Sequence, residues 1–232
     1  MLELENVRKH YASPGGAVRA IDGVCMRVLP SEVAAVYGPS GSGKTTLLLL
    51  AAGLMRADSG SVRVEGRDLA RLSRREVLAY RRTKLGFVFQ GFNLVAGMTA
   101  AENVALPLLL RGLDRKRAHR CALDTLAEMG LAHRAEHPAT RLSGGEQQRV
   151  GIARALVGEP RVVLADEPTG NLDTETGDDV LGLLCRASRE RGAATILVTH
   201  DSRASGYADR ALDLRDGKLT DPGVREQATV VR

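Results

Sequence analysis

The sequence predicts an α/β fold with a largely parallel main sheet, a small antiparallel β layer and an inserted α-helical subdomain. Short apolar runs typical of buried strands recur along the chain, and helical segments separate most of them, which indicates a parallel sheet. These predicted core strands are residues 33–37, 85–89, 162–166 and 195–199, with a final hairpin of 211–214 and 218–219. Residues 2–5, 18–21 and 62–65 instead alternate or nearly alternate between apolar and polar, which indicates the separate antiparallel layer.

The helical subdomain is predicted between the second and third core strands, at about residues 91–158. No strand pattern occurs between Gln90 and Pro160, and residues 117–129 place their apolar side chains at helical spacing. His133 and His137 lie four residues apart in this stretch and could hold a metal ion. No third ligand accompanies them, so a metal site is not expected there.

A glycine-rich loop is the most informative motif. The sequence GPSGSGKT occupies residues 38–45, directly after the first core strand and before an apolar helical segment. Glycines let the backbone point its N–H groups at an anion, and the following helix adds the positive end of its dipole. A Gly/Ser-rich surface turn is the alternative, but the flanking strand and helix favour a nucleoside triphosphate site.

Within this loop Lys44 is predicted to reach the β- and γ-phosphates, and the Thr45 hydroxyl is predicted to bind Mg²⁺. The predicted nucleotide-contacting residues of the loop are Gly38, Pro39, Ser40, Gly41, Ser42, Gly43, Lys44, Thr45 and Thr46.

A second phosphate site is predicted at the start of another helix. Ser143 and Glu146 have the spacing of a capping box, which would start a helix at this point. Gly144 and Gly145 would leave the first helical N–H groups open to an anion. Two phosphate sites and one triphosphate per chain suggest a shared nucleotide, held by the loop of one copy and the Ser143 helix of another.

Further motifs occur in a fixed order along the chain. Residues 162–168 (VVLADEP) form a buried strand ending in two carboxylates, residues 170–173 (GNLD) follow, and residues 198–201 (VTHD) carry a histidine. Together with the two phosphate motifs, these segments make the chain similar over essentially its whole length to the ATP-binding subunits of ABC transporters. The resemblance implies an ATPase that uses ATP and Mg²⁺.

The resemblance also assigns roles to residues whose chemistry suits them. Asp166 would hold Mg²⁺ through water, and Glu167 would act as the general base for the attacking water. Gln90 would contact the metal and that water, and His200 would hydrogen-bond the γ-phosphate. Taken singly, the Asp-Glu pair could be a solvated strand end and His200 an ordinary polar residue. The predicted catalytic residues are Lys44, Gln90, Glu167 and His200, and the predicted metal ligands are Thr45, Gln90 and Asp166.

Two more nucleotide contacts rest mainly on the resemblance. Tyr11 falls where an aromatic ring stacks on adenine, although it could also simply cap a strand. Asp173 ends the loop after the carboxylates and is counted with the nucleotide-binding residues.

Length and composition limit the classes of protein to which the chain could belong. The 232 residues suffice for one large domain spanning 1–232, with a short polar tail at about 221–232. The longest apolar run is far shorter than the roughly 20 residues of a membrane span, and the N-terminal residues do not have the pattern of a signal peptide. Three scattered cysteines fit reduced thiols, so a cytoplasmic protein is expected, peripheral on the inner face of the cell membrane. The net charge of +5 comes from basic residues interleaved with acids, and no nucleic acid partner is expected.

Residues 84–94 and 99–107 resemble one subgroup, the ATPases of macrolide exporters and lipoprotein-releasing systems. Two departures occur: residues 95–98 (VAGM) replace a leucine- and proline-containing turn, and Ser31 replaces a usual glycine. The first departure lies in segment 89–104, which is expected to dock on the membrane partner. Phe92, Leu94, Met98 and Val104 are predicted to line that docking groove.

The sequence therefore predicts an ATPase that works as a head-to-tail pair and drives an integral membrane permease subunit. Export or extraction of a substrate is the leading hypothesis. An importer ATPase and a non-transport membrane signalling ATPase of the cell-division type are the alternatives. A chromosome-maintenance ATPase is not expected, because no heptad run for a long coiled coil separates Lys44 from Ser143.

Overall fold

The computed structural model describes residues 1–13 and 16–221. In chain order its strands are β1 (Leu2–Ser13), β2 (Gly16–Val28), β3 (Val33–Tyr37), β4 (Ser59–Val64), β5 (Arg67–Asp68), β6 (Leu85–Val88), β7 (Val162–Asp166), β8 (Ala194–Thr199), β9 (Arg210–Arg215) and β10 (Lys218–Thr220). The α-helices are α1 (Lys44–Ala51), α2 (Arg74–Thr83), α3 (Ala100–Leu110), α4 (Arg115–Glu128), α5 (Gly144–Leu156) and α6 (Thr174–Glu190). The polar tail predicted at about 221–232 lies, apart from Asp221, outside the described residues.

The main sheet has six strands in the spatial order β10-β9-β3-β8-β7-β6. Its strand pairs are parallel except for the β9–β10 hairpin, so the predicted largely parallel sheet is confirmed. The carboxyl ends of β3, β6, β7 and β8 lie at one edge, and the segments that leave them begin at Gly38, Phe89, Glu167 and His200. Parallel sheets bind ligands at this edge, so the topology collects the predicted site residues there.

A second sheet, in the order β2-β1-β4-β5, is antiparallel and confirms the predicted β layer. Strands β1 and β2 are much longer than the alternating segments 2–5 and 18–21. The register between them shifts between Leu4 and Val7 and again between Lys9 and His10. Each bulge changes the face to which the next side chain points, so the alternation breaks while the strand continues.

Two hydrophobic cores cover opposite faces of the main sheet. Ala34 and Val36 of β3 belong to the core shared with α1 and the antiparallel sheet, whereas Val33 belongs to the core shared with the helices on the other face. Every residue of β8 is buried, which is typical of a strand covered on both faces. The loops at the carboxyl edge therefore start from the strands of a rigid, fully packed sheet.

The described chain between β6 and β7 is helical, with α3, α4, α5 and short 3₁₀ turns at Ala132–Arg134 and Ala139–Arg141. Helix α4 begins two residues before the predicted helix because the Asp114 carboxylate accepts hydrogen bonds from the first N–H groups. The prediction that Val104 lines a docking groove is wrong, because Val104 is 0% exposed on the inward face of α3.

Neither a metal cluster nor a membrane span is found in the described part of the chain. No group of three or more His, Cys, Asp or Glu side chains that could hold a metal occurs there. The His137 ring lies 3.4 Å from Arg134 Nη1 instead. None of the described helices combines the length and the apolar character needed to cross a bilayer.

Candidate functional site

The glycine-rich loop between β3 and α1 packs so closely against its neighbours that two positions require glycine. Gly43 has a φ of +106°, and a Cβ there would lie 2.1 Å from the carbonyl oxygen of Ala20. A Cβ at Gly38 would lie 2.3 Å from the carbonyl oxygen of Leu214. No side chain caps the start of α1, so the N–H groups of its first turn are available to an anion.

The Lys44 ammonium group lies across this loop. Its Nζ donates hydrogen bonds to the carbonyl oxygens of Gly38 at 2.7 Å and Pro39 at 3.1 Å. It also lies 3.9 Å from Oε1 of Glu167. Only 10% of the Lys44 side chain is exposed, so its charge acts in a largely dehydrated environment where attraction to a phosphate is strong.

Two adjacent carboxylates lie at the end of β7 and face different partners. Glu167 has a left-handed backbone with a φ of +44°. Its Oε2 accepts a hydrogen bond from the His200 main-chain N–H at 3.1 Å and lies 2.9 Å from His200 Nδ1. Burial raises the pKa of Asp166, and the neighbouring Glu167 adds to this, whereas Lys44 and the Thr45 hydroxyl oppose it. Glu167 is thus oriented by His200, while Asp166 is held near the loop.

These groups line an open cleft of about 670 Å³. The cleft brings together most of the residues predicted from the sequence, namely Tyr11, Gly38, Pro39, Ser40, Gly41, Gly43, Lys44, Thr45, Thr46, Gln90, Asp166, Glu167 and His200. Ser42 is the predicted loop residue that does not line it, because its side chain is buried under the loop.

The cleft also includes Val18 and Ala20 of β2, which the sequence prediction misses. Val18 pairs with Tyr11 across the β1–β2 hairpin, so only the register of that hairpin reveals it. The Tyr11 ring is 38% exposed, and its hydroxyl lies 3.1 Å from Sδ of Met55. Tyr11 and Val18 together form an apolar rim suited to a flat aromatic ring.

Three oxygen-bearing side chains of the cleft fit a hard divalent cation. They are the Thr45 hydroxyl, the Asp166 carboxylate and the Gln90 amide. The Gln90 amide has room there because Gly170 lacks a side chain: a Cβ at Gly170 would lie 2.6 Å from Gln90 Nε2. Mg²⁺ prefers such hard oxygen ligands, so this donor set suits it.

The structure does not bring Ser143, Gly144, Gly145 or Asp173 into the cleft. Ser143 is exposed at the start of α5 and forms the predicted capping box: its hydroxyl accepts from the Glu146 N–H at 3.3 Å, and its own N–H donates to the Glu146 carboxylate at 2.9 Å. The Ser143 N–H lowers the pKa of Glu146, and Arg134 adds to this at 2.9 Å. The start of α5 is therefore an ordered, exposed helix end.

Asp173 also lies at a helix end. Its carboxylate accepts a hydrogen bond from the Thr176 N–H at 3.0 Å and so caps α6. A Cβ at Gly145 would lie 2.4 Å from Cγ2 of Thr176, so the starts of α5 and α6 touch. Ser143, Gly144, Gly145 and Asp173 thus lie at two touching helix starts of the same chain, where Ser143 and Asp173 are exposed and Gly145 is buried.

Comparison with known proteins identifies the family. The sequence model described as ABC transporter matches residues 21–170. The chain is 43% identical to the lipoprotein-releasing system ATP-binding protein LolD of Hyphomonas neptunium, over 95% of this chain and 97% of that protein. It is 44% identical to the macrolide export ATP-binding/permease protein MacB 1/2 of Paracoccus denitrificans, over 94% of this chain but only 33% of that longer protein.

Solved structures agree. The dimeric structure of MJ0796, a bacterial ABC transporter cassette, matches with a TM-score of 0.85 and 37% identity, covering 95% of this chain and 98% of the cassette. A dimeric post-hydrolysis structure of MJ0796 with ADP and Pi matches equally well at 36% identity. The glycine-rich loop, the paired carboxylates and these matches lead to one conclusion: this chain is an ATP-binding ATPase subunit that belongs to the ABC transporter family.

Proposed function

We propose that two copies of this chain enclose two ATP molecules head to tail and hydrolyse them to drive a membrane permease. One observation carries the proposal: the Lys44 cleft and the exposed Ser143 helix end, the two predicted phosphate sites, lie apart on one chain. A second copy would supply its Ser143 helix end to the open side of the cleft. The MJ0796 cassettes are dimeric, which supports the pairing of two chains.

Within one cleft, Lys44 and the α1 N–H groups would bind the β- and γ-phosphates, and Tyr11 would cover the adenine. Thr45, Asp166 and Gln90 would hold Mg²⁺, which supplies charge neutralisation for the phosphates when bound. Lys44 and the Thr45 hydroxyl oppose the rise that burial gives the pKa of Asp166, so both favour the ionised carboxylate that a cation would need.

For hydrolysis, Glu167 would accept a proton from the attacking water. Its carboxylate is held by His200 through Oε2, and these contacts orient it. His200, whose side chain is 72% exposed, would hydrogen-bond the γ-phosphate from the mouth of the cleft. Gln90 would contact both the water and the cation.

The membrane partner would place the subunit on the inner face of the cell membrane, for export or extraction of a substrate. The lipoprotein-releasing and macrolide-export relatives favour this role over an importer or a signalling ATPase. The structure offers an apolar groove of about 360 Å³ for the partner, lined by Leu78, Leu85, Phe87, Leu106, Pro107 and Leu110 between four arginines. Arg154 of this groove donates to the carbonyl oxygens of Phe92 and Asn93, so the groove adjoins the predicted docking segment.

Charge placed in this groove is expected to release the membrane partner. Leu78 and Leu110 are 45% and 62% exposed, so replacing both with aspartate should leave the fold and basal hydrolysis intact while copurification of the partner is lost. Leu29→Asp, at a similarly exposed leucine between β2 and β3, is the matched control. If the partner still copurified undiminished with the Leu78→Asp/Leu110→Asp variant, this groove would not be the docking site. The half-buried Leu94 and Met98 of the predicted docking segment would then be the next residues to replace.

The shared ATP site is tested by a charge placed at the start of α5. Ser143→Arg should lower ATP hydrolysis about a hundredfold, because a bulky cation replaces a γ-phosphate contact of the opposite copy. ATP binding to the Lys44 cleft of a single chain should be retained, as measured by equilibrium titration.

Ser73→Arg is the matched control for lost helix capping. Ser73 and Glu76 form the same capping box at the start of α2, with the same distances of 3.3 Å and 2.9 Å. Both variants should lose about 1 kcal/mol of stability from the cap. If the two variants hydrolysed ATP at equal rates, Ser143 would act only as a helix cap, and the ATP site shared between two chains would be contradicted.

A further inference from the structure

Behind the catalytic cleft, Arg203 joins two segments that the sequence prediction treats separately. Its guanidinium group forks onto the Asp201 carboxylate, with Nε to Oδ1 at 2.9 Å and Nη2 to Oδ2 at 2.6 Å. Its third arm, Nη1, donates to the carbonyl oxygen of Thr174, the first residue of α6. One side chain therefore connects the loop after β8 with the start of α6.

Both ends of this connection lie next to proposed functional residues. Asp201 follows His200, which holds the Glu167 carboxylate, and Thr174 follows Asp173, which caps α6. The Asp201 carboxylate also accepts a hydrogen bond from the buried Thr169 hydroxyl at 3.2 Å, two residues after Glu167. The cluster of Asp201, Arg203 and Thr169 thus fixes the backbone on both sides of the Glu167–His200 pair.

The chemistry of the cluster makes it stiff. The side-on fork gives each carboxylate oxygen of Asp201 its own arginine donor, and such two-bonded arginine–carboxylate pairs are the strong ones. Asp201 is only 15% exposed, and its hydrogen bonds to Arg203 lower its pKa, so the pair stays ionised at neutral pH. Arg203 does not line the cleft, so it can influence the reaction only through other residues.

We propose that Arg203 is a positioning residue for ATP hydrolysis. It holds His200 and Glu167 at a fixed position relative to the start of α6, which Asp173 caps. The inference rests on the proposed function, because Asp173 and the adjacent Ser143 helix end would face the second copy. When the two chains close on each other at that surface, the movement would be transmitted through Thr174, Arg203 and Asp201 to Glu167, the base that would activate water.

Steady-state ATP hydrolysis with Mg²⁺ tests this. Arg203→Ala should lower kcat about ten- to a hundredfold, since small displacements of catalytic groups have effects of this size. KM for ATP should stay within about twofold, because Arg203 donates its hydrogen bonds to Asp201 and Thr174 and not to Lys44, the start of α1 or Tyr11, which would bind most of the ATP molecule. Arg203→Lys should recover part of kcat, because an ammonium group can pair with Asp201 without holding the Thr174 carbonyl as well.

Arg189→Ala is the matched control. Arg189 also forks onto a carboxylate, that of Asp209, and donates to a carbonyl oxygen, that of Tyr207, but it does so at the far end of α6. The Arg189→Ala variant should lose as much thermal stability as Arg203→Ala while keeping the wild-type kcat. Equal kcat losses in the two variants, or a joint change of kcat and KM in Arg203→Ala, would show a merely structural role.

A second variant covers the case in which Arg203→Ala does not fold. Asp201→Asn keeps the shape of the acceptor and should lower kcat by a similar factor, and adding Arg203→Lys to it should cost little more, because both changes weaken one pair. A wild-type kcat in Asp201→Asn would overturn the inference. Wild-type hydrolysis measured in parallel shows whether the unaltered chain is active, and the ATP-dependent mass of the Glu167→Gln variant shows whether two chains pair. A failure of the inference is thereby distinguished from a failure of the proposed function.

Discussion

Replacing Glu167 with glutamine is expected to lower kcat for ATP hydrolysis about 10²–10⁴-fold, the usual contribution of a positioned general base. Glutamine keeps the shape of the side chain and can still accept the hydrogen bond from the His200 N–H. It cannot take a proton from water. ATP should therefore bind to the Glu167→Gln variant as it does to the wild type, which a fluorescent-nucleotide titration would measure.

Glu159→Gln provides the control for the unusual backbone at this position. Glu159 is exposed and, like Glu167, has a positive φ, in this case +48°. Its replacement should leave kcat unchanged, because it lies before β7 and does not line the cleft. Hydrolysis by Glu167→Gln within about threefold of wild type would exclude Glu167 as the base.

Replacing Lys44 with alanine is expected to reduce hydrolysis by at least about a hundredfold and to weaken ATP binding. The change removes the full positive charge held at the loop by the Gly38 and Pro39 carbonyl oxygens. These oxygens would then lose their donor and face the phosphates directly. Titration and steady-state kinetics should report both losses.

Lys84→Ala is the corresponding control, since Lys84 is a more exposed lysine that pairs with Glu65 at 3.3 Å outside the cleft. It should behave as wild type. If Lys44→Ala hydrolysed ATP within about threefold of wild type, the glycine-rich loop would not be the active site.

Much of the cleft could be predicted because its motifs are local. The loop at 38–45 needs only a strand before it and a helix after it, and both are visible as apolar runs. The parallel order of the sheet then places Asp166 and His200 at the same edge. The glycine usual at position 31 also has a local reason: the φ of Ser31 is +64°, a conformation that favours glycine.

Features that depend on strand register or on contacts between residues distant in the sequence could not be predicted. The contribution of Val18 follows from a hairpin whose bulges hide its alternation, and the Arg203–Thr174 contact joins residues far apart in the chain. The error at Val104 was avoidable, because Ala100, Val104 and Leu108 repeat at the spacing of one buried helix face.

The measurement that tests the central claim most directly is the mass of the Glu167→Gln variant by light scattering, over a range of protein concentrations. Unhydrolysed ATP with Mg²⁺ should hold two chains together, because its γ-phosphate would contact Ser143 and Gly145 of the opposite copy. ADP lacks that group and should leave single chains, and adding Ser143→Arg should abolish the ATP-dependent pair. The same mass with ATP, with ADP and without nucleotide would contradict the head-to-tail arrangement for this protein.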